Sequence, residues 1–392
     1  MRRDTRILTL LTVTAALAAI LLPAAAAGAD TYSRTYRQSL DLSGSETLRL
    51  ANLAGAVELV QGKAGAVVIE ATIHGDLGDA ATTRRVVDGM SWVESRDRKG
   101  RPEMALSYPV EDYRSFAYPA RGGGHGFWDG SRSDVEFRGR RVTVYSRPRS
   151  DAPALWADLR IEVPPQGALV VRNGIGAVKG GSLEGDLGID TGSGDVDLTA
   201  FSGKLMIDTG SGDVTLGDVK AAVGVDTGSG NVRIESLAGD GKVDTGSGDV
   251  EVRQVTAQRF TADTGSGNVR LGRGSVAQLV ADTGSGDIRI DGVEIETFKG
   301  DTGSGDVTLK SSLAKARDIV VETGSGSVRF LAGADASFDL EADQGSGDLD
   351  VGYSDALYKK KGREIYGARR GDGRTRIRVS TGSGDCVIRP EA

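Results

Sequence analysis

The chain is short of most of what holds an ordinary globular domain together. Only 5% of its 392 residues are aromatic, so a core of large rings is excluded. One cysteine, Cys386, is present, and a lone thiol excludes an intramolecular disulfide framework. Histidine occurs at positions 74 and 125 only, which leaves little material for imidazole catalysis or a histidine-built metal site. Basic charge is outnumbered: 48 Lys plus Arg against 55 Asp plus Glu give a net charge of −7, which argues against general nucleic-acid binding. Long apolar runs are confined to the N-terminus. Glycine is what the chain has in plenty, at 57 residues.

Arg2, Arg3 and Arg6 precede an apolar run over 7–22, and Ala27-Gly28-Ala29 offers a small-residue cleavage site before Asp30. Residues 1–29 therefore read as an export signal, with a retained membrane anchor as the alternative. No cysteine follows the run, so a lipoprotein anchor is excluded, and no later stretch is apolar enough to span a bilayer as a helix. Cleavage removes three arginines and Asp4 and leaves the mature chain more acidic still. The expected location is the periplasm, the cell surface or the extracellular space.

The glycines are ordered. Asp244-Thr245-Gly246-Ser247-Gly248-Asp249-Val250 has close copies whose first turn glycines fall at 192, 210, 228, 246, 265, 284, 303, 324, 345 and 382. A period of 18 to 21 residues, broken once by a longer gap before 382, is the signature of stacked rungs. Residues around each turn alternate. Val243 and Thr245 oppose Lys242 and Asp244, and Val250 and Val252 oppose Asp249 and Glu251. The equivalent places hold Ile189, Val196 and Leu198, then Ile207, Val214 and Leu216, so aliphatic columns would fill a narrow core. A single rung cannot bury enough to stand alone, and the array must fold as a unit. Both glycines and the serine persist in every copy, as a corner needing positive φ or close backbone approach requires.

Acids flank each corner. Asp, or once Glu322 and once Ser380, precedes the Thr-Gly or Gln-Gly pair; Asp, Asn231, Asn268 or Ser327 follows the second glycine. The following position reads as turn chemistry, with side-chain oxygens accepting from turn amides. The alternative is cation binding between rungs, as in glycine- and aspartate-rich calcium solenoids. Asp-Thr-Gly-Ser also occurs in aspartic proteases, but that chemistry needs two carboxylates at one cleft rather than copies at rung spacing.

Thr47 to Val60 reads as a degenerate copy of the repeat. Asp79 would cap a short helix over 79–88, and a strand pair with a polar turn at 97–100 follows. Two stretches interrupt the pattern. Residues 109–140 form an aromatic and glycine-rich excursion that reads as a long loop, capping the stack or contacting a ligand through Tyr113, Phe116, Tyr118, Phe127 and Trp128. Residues 353–374 form a basic excursion whose Lys359, Lys360, Lys361, Arg363, Arg369 and Arg370 make a positive projection, which is either solvated, folded against the acidic columns or in contact with an anionic cell-surface polymer. These eleven residues are the candidate ligand contacts. Cys386 takes the place of Val250 in its copy and is expected to be a buried, unreactive thiol.

The segments Leu50 to Val60, Leu106-Ser107-Tyr108-Pro109 and Ile161-Glu162-Val163-Pro164, the Thr-Gly-Ser-Gly-Asp-Val copies, and the closing run from Ile377 to Asp385 resemble a bacterial exported β-strand-repeat family of unknown function that goes by the name "putative adhesin". The resemblance implies a β-solenoid and an envelope or surface location. The residues and the resemblance together predict an all-β solenoid of rungs of about 18 to 21 residues, with a meander of hairpins as the alternative. The expected organisation is a signal at 1–29, an N-terminal β region at 30–172 and the repeat array at 173–392, the array closing with 375–380 and 386–389 as its last rung. The expected role is a non-enzymatic adhesin or envelope scaffold that binds a cell-surface glycan or an envelope protein, with no catalytic residues, metal or cofactor. A carbohydrate-active β-helix enzyme and a cation-stabilised rod are the alternatives.

Overall fold

The computed structural model describes residues 31–41, 47–63, 65–119, 132–165 and 167–391. The expected export signal at 1–29, Phe127, Trp128 and His125 lie outside them.

The repeats pair in parallel, rung on rung and in register, which excludes the hairpin meander. Val243 lies between Val225 and Ala262, and Thr245 between Thr227 and Thr264. The result is a β-solenoid of about 9 turns with rungs of ~19 residues. The expected columns face inward: Ile189, Val196, Leu198, Ile207, Val214, Leu216, Val225, Val243, Val250 and Val252 are all buried. Cys386 stands in the same column, fully buried, and burial pushes its thiol up to about 12.

Three backbone devices explain why the corner sequence is so constant. A Cβ on Gly248 would overlap the carbonyl of Gly230 one rung below, and a Cβ on Gly246 that of Gly228. Close approach, rather than positive φ, is what demands glycine: of all the corner glycines only Gly194 and Gly345 have positive φ. The threonine hydroxyl works inward. Thr245 Oγ1 donates to the Gly230 carbonyl at 3.0 Å and accepts from Gly248 N–H at 3.1 Å. The same pair of bonds recurs at Thr227, Thr264, Thr283, Thr302, Thr323 and Thr381. A buried hydroxyl thus satisfies two backbone groups that the turn leaves without ladder partners. The acid after the second glycine works between rungs: the backbone N–H of Asn231, Asp249, Asn268 and Asp287 donates to the side-chain oxygen of Asp213, Asn231, Asp249 and Asn268 respectively, at 2.8 to 3.0 Å. Asp, Asn and Ser are interchangeable there because each supplies an acceptor. The turn-chemistry reading stands, with the amide in the neighbouring rung rather than in the same turn.

Leu48–Ala54 and Val57–Gln61 form the first rung, as the degenerate copy implied. They pair in parallel with Ala168–Ile175 and with the start of Val178–Ser193, although more than a hundred residues intervene. The intervening chain closes the near end of the stack. Ala154–Val163 lies beside Val57–Gln61, Ala66–Asp76 runs antiparallel to Ala154–Val163, and Tyr32–Asp41 forms the edge. The helix is Ala80–Gly89, with Asp79 accepting from the amides of Ala81 and Thr82. Trp92–Arg96 and Pro102–Leu106 make a hairpin whose Met104 and Ala105 pair with Leu50 and Ala51. The stretch 109–140 is less loop-like than its prolines and glycines suggest: it contains the strands Ser115–Ala117 and Arg132–Phe137, the latter in a hairpin with Arg140–Tyr145. At this end Asn52 and Asn173 replace threonine. Asn52 Nδ2 reaches Asn173 Oδ1 at 3.0 Å, and the Tyr108 hydroxyl donates to Asn52 Oδ1 at 3.0 Å.

The far end departs from sequence order. Thr375–Thr381 and Cys386–Pro390, expected to close the stack, instead lie inside it. They pair with 318–332 on one side and with 338–351 on the other. The amide ladder follows the spatial order, from Asp306 to Ser327, then Asp385, then Asp348. The basic excursion is a hairpin of Leu357–Lys361 and Glu364–Arg370. Its second strand runs antiparallel to Phe338–Asp343 and covers the last rung.

Candidate functional site

Where the N-terminal hairpins overhang the array they enclose a groove of about 710 Å³. Its floor is the outward-facing column Val170, Gly188, Met206, Gly224 and Lys242, one residue from each of five successive rungs. Two glycines flank the methionine, so the Met206 side chain lies over Gly224 and stays 51% exposed. Beside this column runs the acid column that precedes each threonine, here Arg172, Asp190, Asp208, Asp226 and Asp244. The roof is the turn 97–101 and the strand residues Asp134, Val135, Glu136 and Phe137.

Each wall is held by specific bonds. Asp97 accepts from the amides of Lys99 and Arg101 at 2.9 and 2.8 Å and from Arg101 Nε at 2.5 Å. Burial alone would raise its carboxyl, but the bonds from Arg101 outweigh burial and hold it below the ordinary range. Asp134 is held low by hydrogen bonds from Thr143 and then Arg141. Arg98 reaches Glu136 at 3.8 Å and ties the two roof elements together. Arg172 closes the end of the acid column, 2.9 Å from Glu103 and 3.2 Å from Asp190. Desolvation would lower its pKa, yet those two acids raise it. Asp208, between Asp190 and Asp226, is pushed up by burial and then by both neighbours, and Asp282 farther along by burial, Asp301 and Asp263. The groove therefore presents a small apolar strip between carboxylates and guanidinium or ammonium groups.

The aromatic candidates stand elsewhere. Phe116 is fully buried and packs edge-on against Tyr108 at 5.8 Å, Tyr113 sits 6.0 Å from Phe116, and Tyr118 is buried against Trp156 at 6.2 Å. These three build the cap of the stack. Among the basic candidates, Lys359 pairs with Asp339 and Glu341, Arg369 with Asp339, and Arg370 with Asp355 while lying over the Tyr353 ring. Lys360, Lys361 and Arg363 remain exposed at the hairpin tip. The structure does not bring the aromatic and basic sets together. Sequence reasoning missed the groove, whose parts come from segments far apart. Its one local signal is Met206, an apolar residue at an outward position bracketed by Gly188 and Gly224.

Among the described residues no three His, Cys, Asp or Glu side chains are grouped to hold a metal ion, and no helix is long and apolar enough to cross a membrane.

A capped β-solenoid with a charged groove at one end is the class of protein these features define. Residues 218–389 match the family described as Toastrack DUF4097. Solved structures with similarity include two from Parabacteroides distasonis. One, a "putative lipid binding protein", has 9% identity and a TM-score of 0.32 over 92% of this chain and 97% of that one. The other, a "putative adhesin", has 8% identity and a TM-score of 0.34 over 90% and 97%. A "putative cell adhesion protein" from Clostridium sporogenes has 9% identity and a TM-score of 0.18 over 92% and 100%. Likeness at these values carries no functional information. Among curated proteins none matches the chain.

Proposed function

We propose that the chain is a non-enzymatic, exported binding and scaffold protein of the cell envelope, with an adhesin-type role, and that the N-terminal groove holds its ligand. The observation that supports this reading is the groove itself, where non-repeat elements and the regular array meet. Its walls are fixed by ion pairs and its floor offers an exposed methionine between glycines. Concave sites with a few fixed polar groups around an apolar strip suit ligand recognition. Arginine, lysine and carboxylate side chains around that strip suit a polyhydroxylated ligand, which the expected cell-surface glycan supplies, because they offer donors and acceptors at fixed positions. Catalysis would need a nucleophile or an acid–base pair poised over one reacting atom. In the groove Asp97, Asp134, Glu136 and Arg172 are engaged in holding the walls, and the remaining carboxylates and lysines line it as separate polar groups.

A glycan and cell-surface binding array with the chain from Asp30 tests this. The expected result is selective binding that falls at least ~tenfold in Met206→Ser and in the charge exchange Lys99→Glu/Glu136→Lys, without loss of the folded state. Binding that ignores both variants, or no binding across the array, would overturn the proposal.

A further inference from the structure

The far end carries a second surface, unrelated to the groove. Among the described residues four large hydrophobic side chains are left exposed, and three of them, Leu357, Tyr358 and Tyr366, sit on the end hairpin with exposures of 74%, 46% and 38%. Only Gly367, Ala368, Arg369 and Arg370 of this hairpin join the ladder with Phe338–Asp343, so residues 360–366 project past the sheet. Lys359 pairs with Gly367 and Lys360 with Ile365, so Tyr366 is the extra residue of a β-bulge. The basic residues divide at the same point. Those at the root are neutralised by Asp339, Glu341 and Asp355. Lys360, Lys361 and Arg363 at the tip have no ion pair among the described residues, in a chain of net charge −7.

We propose that this hairpin tip docks the end of the solenoid onto a membrane surface rich in anionic lipid. Three cations against one acid, Glu364, leave the tip net positive and match the phosphate layer, where juxtamembrane Lys and Arg are attracted to anionic headgroups. Tyr366 at the bulge and Leu357 farther back along the first strand, opposite Arg369, match the boundary between headgroups and acyl chains when the hairpin lies along the surface, where amphipathic rings and aliphatic groups partition. A soluble polyanion would satisfy the cations and leave Leu357 and Tyr366 wet, so the combination selects a bilayer. With so few apolar groups the contact is peripheral and reversible.

The test is co-flotation of the chain from Asp30, which contains every described residue, with vesicles of phosphatidylcholine alone or mixed with phosphatidylglycerol. Heparin serves as the soluble polyanion. Binding to the mixed vesicles is expected, absent for phosphatidylcholine, weakened roughly fivefold in Lys361→Ala and abolished in Lys360→Glu/Lys361→Glu/Arg363→Glu. Leu357→Ser/Tyr366→Ser should weaken vesicle binding about fivefold and leave any heparin binding unchanged. All five side chains are exposed, so each variant should melt like the parent. Failure to bind the mixed vesicles overturns the proposal. Vesicle binding that survives Leu357→Ser/Tyr366→Ser also overturns it and leaves a simple polyanion contact instead.

Discussion

At the scale of single residues, each position of the repeated corner is set by a different constraint, which is why the motif tolerates so little change. Glycine is fixed by the carbonyl one rung below, threonine by two backbone partners, and the following acid by an amide one rung above. Thr245→Val keeps the shape and removes the hydroxyl, leaving the Gly230 carbonyl and the Gly248 amide unpaired in the interior. The expected cost is about 1–3 kcal/mol, read from denaturant unfolding. The acid before the threonine behaves oppositely. The carboxyl of Asp208 titrates above its ordinary range in the fold, through burial and then through Asp190 and Asp226, so its ionisation opposes folding. That penalty is present above the folded-state pKa and disappears as pH falls through it. Asp208→Asn should therefore raise the melting temperature at neutral pH, by less in high salt, with the gain vanishing in acid. A gain that persists in acid would rule out charge repulsion as its source. Inward and outward roles were legible from alternation alone. The inter-rung amide ladder was not, because its partners lie about a full period apart in sequence.

At the scale of elements, the excursions turn out to be closures. Prolines, glycines and scattered aromatics concealed strands in 109–140, since a strand as short as Ser115–Ala117 shows too little alternation to read. The aromatics are explained once Tyr108, Phe116 and Phe137 are seen packed edge to face at 5.6 to 5.8 Å over the first rung. Arg172 fastens this closure to the array. The Glu103 side chain is 1% exposed and Arg172 is the cation beside it, so Arg172→Leu strands a buried carboxylate. The expected loss is ~3 kcal/mol of stability, together with faster hydrogen exchange in Pro102–Leu106. Exchange unchanged in that strand would show that the ion pair does not hold the hairpin. The candidate groove depends on the same junction, and no single stretch of sequence contains enough of it to be recognised.

At the scale of the whole molecule, the existence and period of the rungs were legible, but their order was not. Every copy offers nearly the same edges, so local pattern cannot say which copy neighbours which. The register shows 375–390 set between 318–332 and 338–351. Residues 333–337 therefore cross two strand spacings, ~9.5 Å, with another rung between them. Removing 375–392 should leave two facing edges without partners, lower the melting temperature by several degrees and promote association through those edges, as light scattering would show. A peptide of residues 374–391 should reverse both effects; a truncated chain that melts like the parent would contradict the topology. The arrangement also has a mechanical meaning. An outermost rung of a solenoid frays by peeling, one row of hydrogen bonds at a time. Here a pull on 375–390 meets hydrogen bonds on both sides at once, so this segment resists peeling in a way that an outermost rung does not.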